Sequence, residues 1–198
     1  MNIHESKYFN TARKMDEALI TLLEKKDFAY ITVKEVCEVA EVNRSTFYLH
    51  YDNTVDLLRE TAQYVVEKHF SYYSLDLQDI ALCLDQLENK NLLFISDQYL
   101  VPYLLFIKDN QRIFKVAVKH FDSMNMHEVY NWMFGSVFDP ILVHFRIPEK
   151  QRPYMMKFYL TGVFAIVMEW LDGECTDDMD LIIQIIKECV MGERRIHE

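Results

Sequence analysis

The seven residues from Arg44 to His50, Arg-Ser-Thr-Phe-Tyr-Leu-His, include side chains of the types that contact nucleic acid. A guanidinium can pair with a guanine edge or bind a phosphate, and short hydroxyl side chains can reach base edges or the backbone. Only Phe47 and Leu49 are large and apolar within this stretch. We therefore predict a short helix that Phe47 anchors inward and whose polar side meets DNA.

The sequence offers little for catalysis or metal binding. Its seven histidines form neither HxxxH nor HExxH, and its four glycines cannot build a phosphate-binding loop or a nucleophile elbow. The cysteines show no CxxC pairing, so we interpret them as reduced thiols of a cytoplasmic protein; they are Cys37, Cys83, Cys175 and Cys189. We expect no enzymatic activity, no metal and no cofactor. Titratable residues clustered in a closed cleft would instead indicate an enzyme.

The composition favours long helices. Hydrophobic residues make up 51% of the 198 residues, whereas glycine and proline contribute four each, which argues against a turn-rich β-sandwich. No apolar run approaches the roughly 18 residues of a membrane span, and the polar first ten residues lack the apolar core of a signal peptide. We predict an all-α fold without a membrane segment.

The net charge of −10 is unevenly distributed. Residues 1–50 carry seven basic and eight acidic side chains, while residues 51–198 carry fourteen basic and twenty-three acidic ones. A near-neutral first segment joined to an acidic remainder suits a protein that touches DNA with one small surface. Much of the remaining acidity serves solubility.

The first segment contains four predicted helices. Between Ser6 and Lys26, apolar residues recur at helical spacing; they are Met15, Leu19, Leu22 and Leu23. Thr32 and Glu35 have the spacing of a capping box, which starts a short second helix. Asn43 is a suitable N-cap for the third helix, and Asn53 for a longer fourth one.

Three short helices, with a turn of three to four residues between the second and third, follow the helix-turn-helix plan. Periodicity alone leaves an ordinary small helical bundle equally open, and the polar side chains of the third helix favour DNA binding. In such a motif the third helix enters the major groove while the second contacts the backbone. Arg44 is predicted to contribute most, and the whole predicted set is Thr32, Val33, Lys34, Arg44, Ser45, Thr46, Tyr48 and His50.

The motif Thr32–Tyr51, with its flanks from Phe28 to Leu58, closely resembles the signature of the TetR (tetracycline repressor) family of bacterial transcriptional regulators. The resemblance is strong over residues 7–68. It implies a DNA-binding domain over that range, followed by a helical regulatory and dimerisation domain over residues 69–198. It also implies a DNA-binding repressor that a small molecule releases.

Two positions depart from the family pattern. Glu41 stands in the turn where the family usually has glycine, and Thr54 stands where a lysine usually meets a phosphate. If the turn requires a positive φ, glutamate at this position lowers the stability of the fold by about 1–2 kcal/mol relative to glycine. We therefore predict that Glu41→Gly stabilises the protein and strengthens DNA binding.

The remainder of the chain is predicted to be helical, with helices near 99–109, 111–121, 126–145, 149–172 and 178–192. An apolar cavity between such helices could hold an apolar or aromatic effector. Its predicted lining is Tyr103, Phe106, Phe114, Trp132, Phe138 and Phe158. Ordinary core packing is the alternative for each of these rings.

Two stripes near the C-terminal end predict a two-fold homodimer. On the helix at 149–172 the stripe comprises Gly162, Ala165, Ile166 and Glu169, whose small residues permit close approach. On the helix at 178–192 it includes Leu181, Ile182 and Ile185. Two such helices from each chain would form a four-helix interface. The alternative is that both stripes pack within their own chain.

A two-fold axis in the protein would impose a near-palindromic operator on duplex DNA. The remaining functional alternative is a helical adaptor that retains the motif and no longer binds DNA. Salt-dependent binding to duplex DNA would distinguish the two, because phosphate contacts release counterions.

Overall fold

The computed structural model describes residues 3–73, 96–128, 139–144 and 146–191, and their regular structure is entirely helical. The helices are α1 Ile3–Leu23, α2 Val33–Ala40, α3 Arg44–His50, α4 Thr54–Phe70, α5 Asp97–Asp109, α6 Gln111–Lys119, α7 Asp139–His144, α8 Arg152–Asp172 and α9 Met179–Met191. The prediction of an all-α fold is confirmed. Predictions that concern Cys83, Trp132 and Phe138 fall outside the described residues.

The chain forms two compact units. The first unit comprises Met1–Lys68 together with Arg112–Val129, and the second comprises His69–Gln111 together with Tyr130–Glu198. The sequence predicts the same boundary between residues 68 and 69, with all later residues in the second domain. The structure instead places Arg112–Val129 in the same unit as the helix-turn-helix.

The first unit is built around the inner face of α1. All four residues of the predicted stripe on this helix are buried: Met15, Leu19, Leu22 and Leu23. Phe47 of α3 and Leu57 of α4 are also fully buried. Helix α1 packs mainly against α2, which in turn contacts α3. Burial of this apolar set supplies most of the favourable free energy that holds the short helices in place.

The second unit is organised around α8, which contacts α9 and α5. Gly173 ends α8, as the sequence predicts, and the Trp170 indole N–H donates to the carbonyl of Asp177 at 3.0 Å, which fixes the following loop. Leu142 of α7 and Met156 of α8 form a further buried contact. An ion pair of 2.6 Å joins Lys187 to Asp97.

Within the described residues, the segment Glu149–Asp172 is the one helix long and apolar enough to cross a membrane by length and composition, at a mean hydropathy of 1.2. Lys157 and Glu169 interrupt it, which is why no continuous apolar run of that length occurs in the sequence. A core helix of a soluble protein satisfies the same criterion, so one such helix is weak evidence for a membrane span.

Candidate nucleic-acid interface

The turn between α2 and α3 is built on a left-handed residue. Glu41 ends α2 with φ 56° and ψ 42°, and its N–H donates to the carbonyl of Cys37. The N–H of Val42 donates to the same carbonyl at 3.0 Å. These bonds satisfy a carbonyl at the helix end, while the left-handed backbone conformation of Glu41 costs about 1–2 kcal/mol relative to glycine. The positive φ on which the prediction for Glu41 depends is therefore present.

The start of α3 is held by the Asn43 side chain. Its Oδ1 accepts hydrogen bonds from the Thr46 N–H at 2.7 Å, the Ser45 hydroxyl at 2.6 Å and the Thr46 hydroxyl at 2.9 Å. The predicted N-cap is thus confirmed. Because its hydroxyl hydrogen is engaged, the exposed Ser45 presents oxygen lone pairs to the outside, which suits acceptance from a base amino group.

The outward surface of α3 is polar and aromatic. Arg44 and Ser45 are exposed, Tyr48 is 57% exposed, and Phe47 is fully buried. Leu49 is 77% exposed, so it belongs to this surface rather than to the core. Leu49 is not among the DNA contacts predicted from the sequence. Its position two residues after the inward-facing Phe47 is the signal that could have identified it.

The imidazole of His50 stacks on a tyrosine ring that the sequence does not predict as part of this surface. The rings of Tyr8 and His50 stack with centroids 3.9 Å apart and an interplanar angle of 22°. Burial lowers the pKa of His50. The His50 Nδ1 is buried without a hydrogen-bond partner among the described residues, and a bare lone pair there costs less than an unpaired N–H. We therefore expect the neutral ring to carry its proton on Nε2, where it can act as a donor.

The predicted contacts on α2 divide into two groups. Thr32 is occupied by the capping box, because its hydroxyl donates to Glu35 Oε2 at 2.8 Å and accepts from the Glu35 N–H at 3.3 Å. Hydrogen bonds from Lys26 and then from Thr32 lower the pKa of Glu35 to about 2, which keeps this cap ionised. Lys34 is exposed and lies 3.6 Å from Glu38, and Val33 is half-buried. Of these, only Lys34 offers a mobile cation to a phosphate.

The predicted dimer residues mostly lie on the surface of the second unit. Gly162, Ala165 and Glu169 are exposed, and Leu181 is 46% exposed. Ile166 and Ile185 are half-buried. Ile182 is buried within its own chain and is therefore corrected from an interface residue to a core residue. The apolar stripe on α9 is wide enough to have a buried side and an exposed side, and this helix packs against α8.

The predicted pocket residues are not all brought together. Phe158 is 71% exposed on α8, so it does not line a cavity within this chain, contrary to the prediction. Phe114 lies on α6 and belongs to the first unit, whereas Tyr103 and Phe106 belong to the second. The error has a physical origin, because an aromatic ring on a long helix packs inward or outward according to neighbours that one sequence does not specify.

Tyr103 and Phe106 instead surround His69. The His69 ring centroid lies 5.9 Å from that of Tyr103, 4.9 Å from that of Phe106 and 5.2 Å from that of Tyr73. Burial among these rings lowers the pKa of His69 to about 4, so the imidazole is neutral near pH 7. Neither His69 nor Tyr73 is among the residues predicted from the sequence.

Residues 96–192 match a family model of TetR type described as "Transcriptional regulator C-terminal region". The chain is 25% identical over 184 residues to the HTH-type transcriptional regulator YxbF of Bacillus subtilis (strain 168). This match covers 91% of the chain and 45% of that protein, so the chain spans about half the length of this curated relative. The helical fold and these matches support the class of helix-turn-helix transcriptional regulators.

These matches support assignment to the TetR family, which the resemblance of the motif predicts. Among solved structures, the dihydroxyacetone kinase operon activator DhaS is similar with a TM-score of 0.50. That match covers 95% of this chain and 98% of DhaS at 14% identity, which is evidence for a shared fold alone.

Proposed function

We propose that the chain binds a near-palindromic duplex DNA as a homodimer, represses transcription there, and is released by a small apolar or aromatic effector. The observation that carries the proposal is the preformed surface of α3, where Asn43 fixes the first turn while Arg44, Tyr48 and Leu49 point outward. Because the first turn of α3 is already ordered, binding to DNA does not incur the entropy cost of ordering the side chains that contact bases. A protein working on DNA would act in the cytoplasm.

The proposed dimer uses an exposed stripe along α8. Tyr154, Phe158, Thr161, Ala165 and Glu169 are all exposed and follow one another at spacings of four, three, four and four residues, which is one helix face. Tyr154 is 79% exposed and Phe158 71% exposed. Two large rings left in water favour coverage by a second copy of the chain. Gly162 has open space around its Cα, with no atom within 4 Å of an added Cβ, so a partner helix can approach there.

The proposed effector site lies at the aromatic residues around His69. A neutral imidazole with tyrosine and phenylalanine rings around it suits an aromatic ligand that accepts or donates one hydrogen bond. Release requires that this ligand bind one arrangement of the dimer better than the other. Repression follows the usual mode of the family. DhaS is named as an operon activator, so the sign of regulation is best read directly from a reporter.

The proposal is tested by selecting bound sequences from a random duplex pool with the full chain. A near-palindromic consensus, bound with an affinity that falls steeply as salt rises, is the expected result. The selected duplex placed upstream of a reporter then gives the sign of regulation. Recovery of unenriched sequence, with no salt-dependent binding, would instead favour the adaptor alternative.

A further inference from the structure

The segment that follows α5 is tied to α1 by a cluster of polar contacts within the first unit. Arg112 Nε donates to Glu24 Oε1 at 2.6 Å, and Arg112 Nη2 donates to the hydroxyl of Thr21. A second carboxylate, that of Glu17, lies 3.9 Å from the same guanidinium. Glu17 and Thr21 lie one turn apart on α1, and Glu24 directly follows its last residue, so one cation spans the C-terminal end of that helix.

His120 closes the end of α1. Its side chain is 5% exposed, and its Nε2 lies 2.8 Å from the carbonyl oxygen of Leu23, the last residue of α1. A carbonyl can only accept, so the ring nitrogen donates. Carbonyls in the last turn of a helix have no partner within the helix, and His120 satisfies one of them in a buried setting. Arg112 and His120 together are called the brace below.

We infer that Arg112 and His120 are positioning residues for DNA binding, which hold α1 in the orientation that the helix-turn-helix requires. The inference rests on the proposed function. Helix α1 packs mainly against α2, and α2 contacts α3, so the position of α1 determines where the outward surface of α3 points. The brace itself need not touch DNA.

The brace is also the next element along the chain from the proposed effector site. Asn110 is buried, and its side-chain amide donates to the Tyr72 hydroxyl at 2.9 Å and to the Phe106 carbonyl at 2.9 Å. Only Gln111 separates Asn110 from Arg112. Along the chain, one residue therefore separates the proposed effector site from the brace.

The test measures the affinity of the full chain for the duplex selected by the wild-type protein, together with the salt dependence. Arg112→Ala is expected to weaken binding about five-fold with an unchanged salt slope, because fewer molecules hold the competent orientation while no phosphate contact is lost. Arg112→Lys, which keeps one contact with Glu24, should recover part of the loss. Lys115→Ala is the matched control, since it removes an exposed cation from the same helix without affecting the brace.

His120→Gln keeps a donor near the Leu23 carbonyl and should bind DNA within about two-fold of wild type. His120→Ala should bind several-fold more weakly and melt about 3–6 °C lower, because the carbonyl is left buried and unpaired. If His120→Ala does not fold, the comparison of Arg112→Lys with Arg112→Ala still decides the question.

Wild-type affinity in Arg112→Ala would overturn the inference, as would an affinity loss accompanied by a salt slope smaller by about one, which would make Arg112 a direct phosphate contact. Equal losses in Arg112→Ala and Lys115→Ala would also overturn it, because they would reflect charge alone. Failure of the wild-type chain to bind any duplex would instead overturn the proposed function, which separates the two failures.

Discussion

The hydroxyl of Thr61 on α4 donates to Asp16 Oδ1 on α1 at 2.9 Å, across 45 residues of sequence. Asp16 is 2% exposed and Thr61 is fully buried. Burial raises the pKa of Asp16 to about 6, and the hydrogen bond from Thr61 opposes this shift in part. The folded first unit therefore holds a carboxyl group that binds its proton more tightly than the unfolded chain does.

This relationship predicts how stability depends on pH. The unfolded carboxyl titrates near pH 3.8, so its contribution to stability is greatest below that pH, falls as the pH rises to about 6, and is level above. Asp16→Asn keeps an acceptor for Thr61 and should raise the free energy of unfolding by about 2–3 kcal/mol at pH 7.5, with little change near pH 4. Urea unfolding of both proteins at the two pH values measures the difference.

The exposed carboxylate of Asp27 provides the control for this measurement. Asp27→Asn should leave the free energy of unfolding nearly unchanged at both pH values. An equal effect of Asp16→Asn at pH 4 and pH 7.5 would show that the buried group does not titrate in this range.

Glu41→Gly should stabilise the protein by about 1–2 kcal/mol, because glycine adopts the observed left-handed conformation without strain. It should also strengthen DNA binding, since it removes a negative charge beside the proposed interface. Thermal melting and operator affinity measure the two effects. Asn125 also has a positive φ, of 53°, and asparagine tolerates that region better, so Asn125→Gly should give a smaller gain. A lower melting temperature in Glu41→Gly would contradict the account of strain.

Arg44→Ala should cost about 1–3 kcal/mol of operator binding while the fold is retained. The guanidinium is exposed at the first turn of α3, so its removal leaves no cavity. A loss confined to the selected operator would indicate a base contact, and an equal loss on unrelated duplexes with a reduced salt slope would indicate a phosphate contact. Unchanged affinity for both kinds of duplex would remove Arg44 from the interface.

The stacked rings of Tyr8 and His50 predict which substitutions preserve binding. Tyr8→Phe keeps the stack and should bind as wild type, whereas Tyr8→Ala should weaken binding several-fold because the imidazole loses its support. His50→Gln places an amide near the position of Nε2 and should retain more affinity than His50→Asn, which places it near the buried Nδ1. Competition binding on one operator measures all four variants. The reverse order for the two His50 variants would place the donor on the other nitrogen.

The dimer proposal is tested with charges on the exposed stripe of α8. Phe158→Glu combined with Ala165→Glu should give a monomer by sedimentation at micromolar concentration, because buried unpaired carboxylates are costly. Both positions are exposed in the single chain, so the fold should survive. Lys108→Glu, which changes an exposed charge on α5 and leaves this stripe intact, should remain dimeric. A double variant that stays dimeric would place the interface elsewhere.

Local signals made the first unit predictable. The capping box at Thr32 and Glu35, the Asn43 cap and the end of α2 at a left-handed residue each depend on side chains a few positions apart. The apolar stripe of α1 likewise follows from helical spacing alone. These features determine a local conformation before any distant contact forms, which is why a single sequence contains them.

Distant pairings were not predictable in the same way. Arg112 meets Glu24 across 88 residues, and His120 meets the Leu23 carbonyl across 97. Nothing in their local sequence distinguishes them from an exposed cation or a core histidine. The inward position of Ile182 and the outward position of Phe158 were missed for a related reason, because the partner helix selects the buried face.

The division of the first unit between two stretches of sequence has a consequence during synthesis. Residues 1–68 leave the ribosome before the segment Arg112–Val129 that completes their unit has been made. At about 5–20 residues per second, the 61 residues from 69 to 129 take roughly 3–12 s to translate. During that interval the nascent helix-turn-helix lacks the capping of α1 by His120, so a chaperone that covers the end of α1 would act within this window.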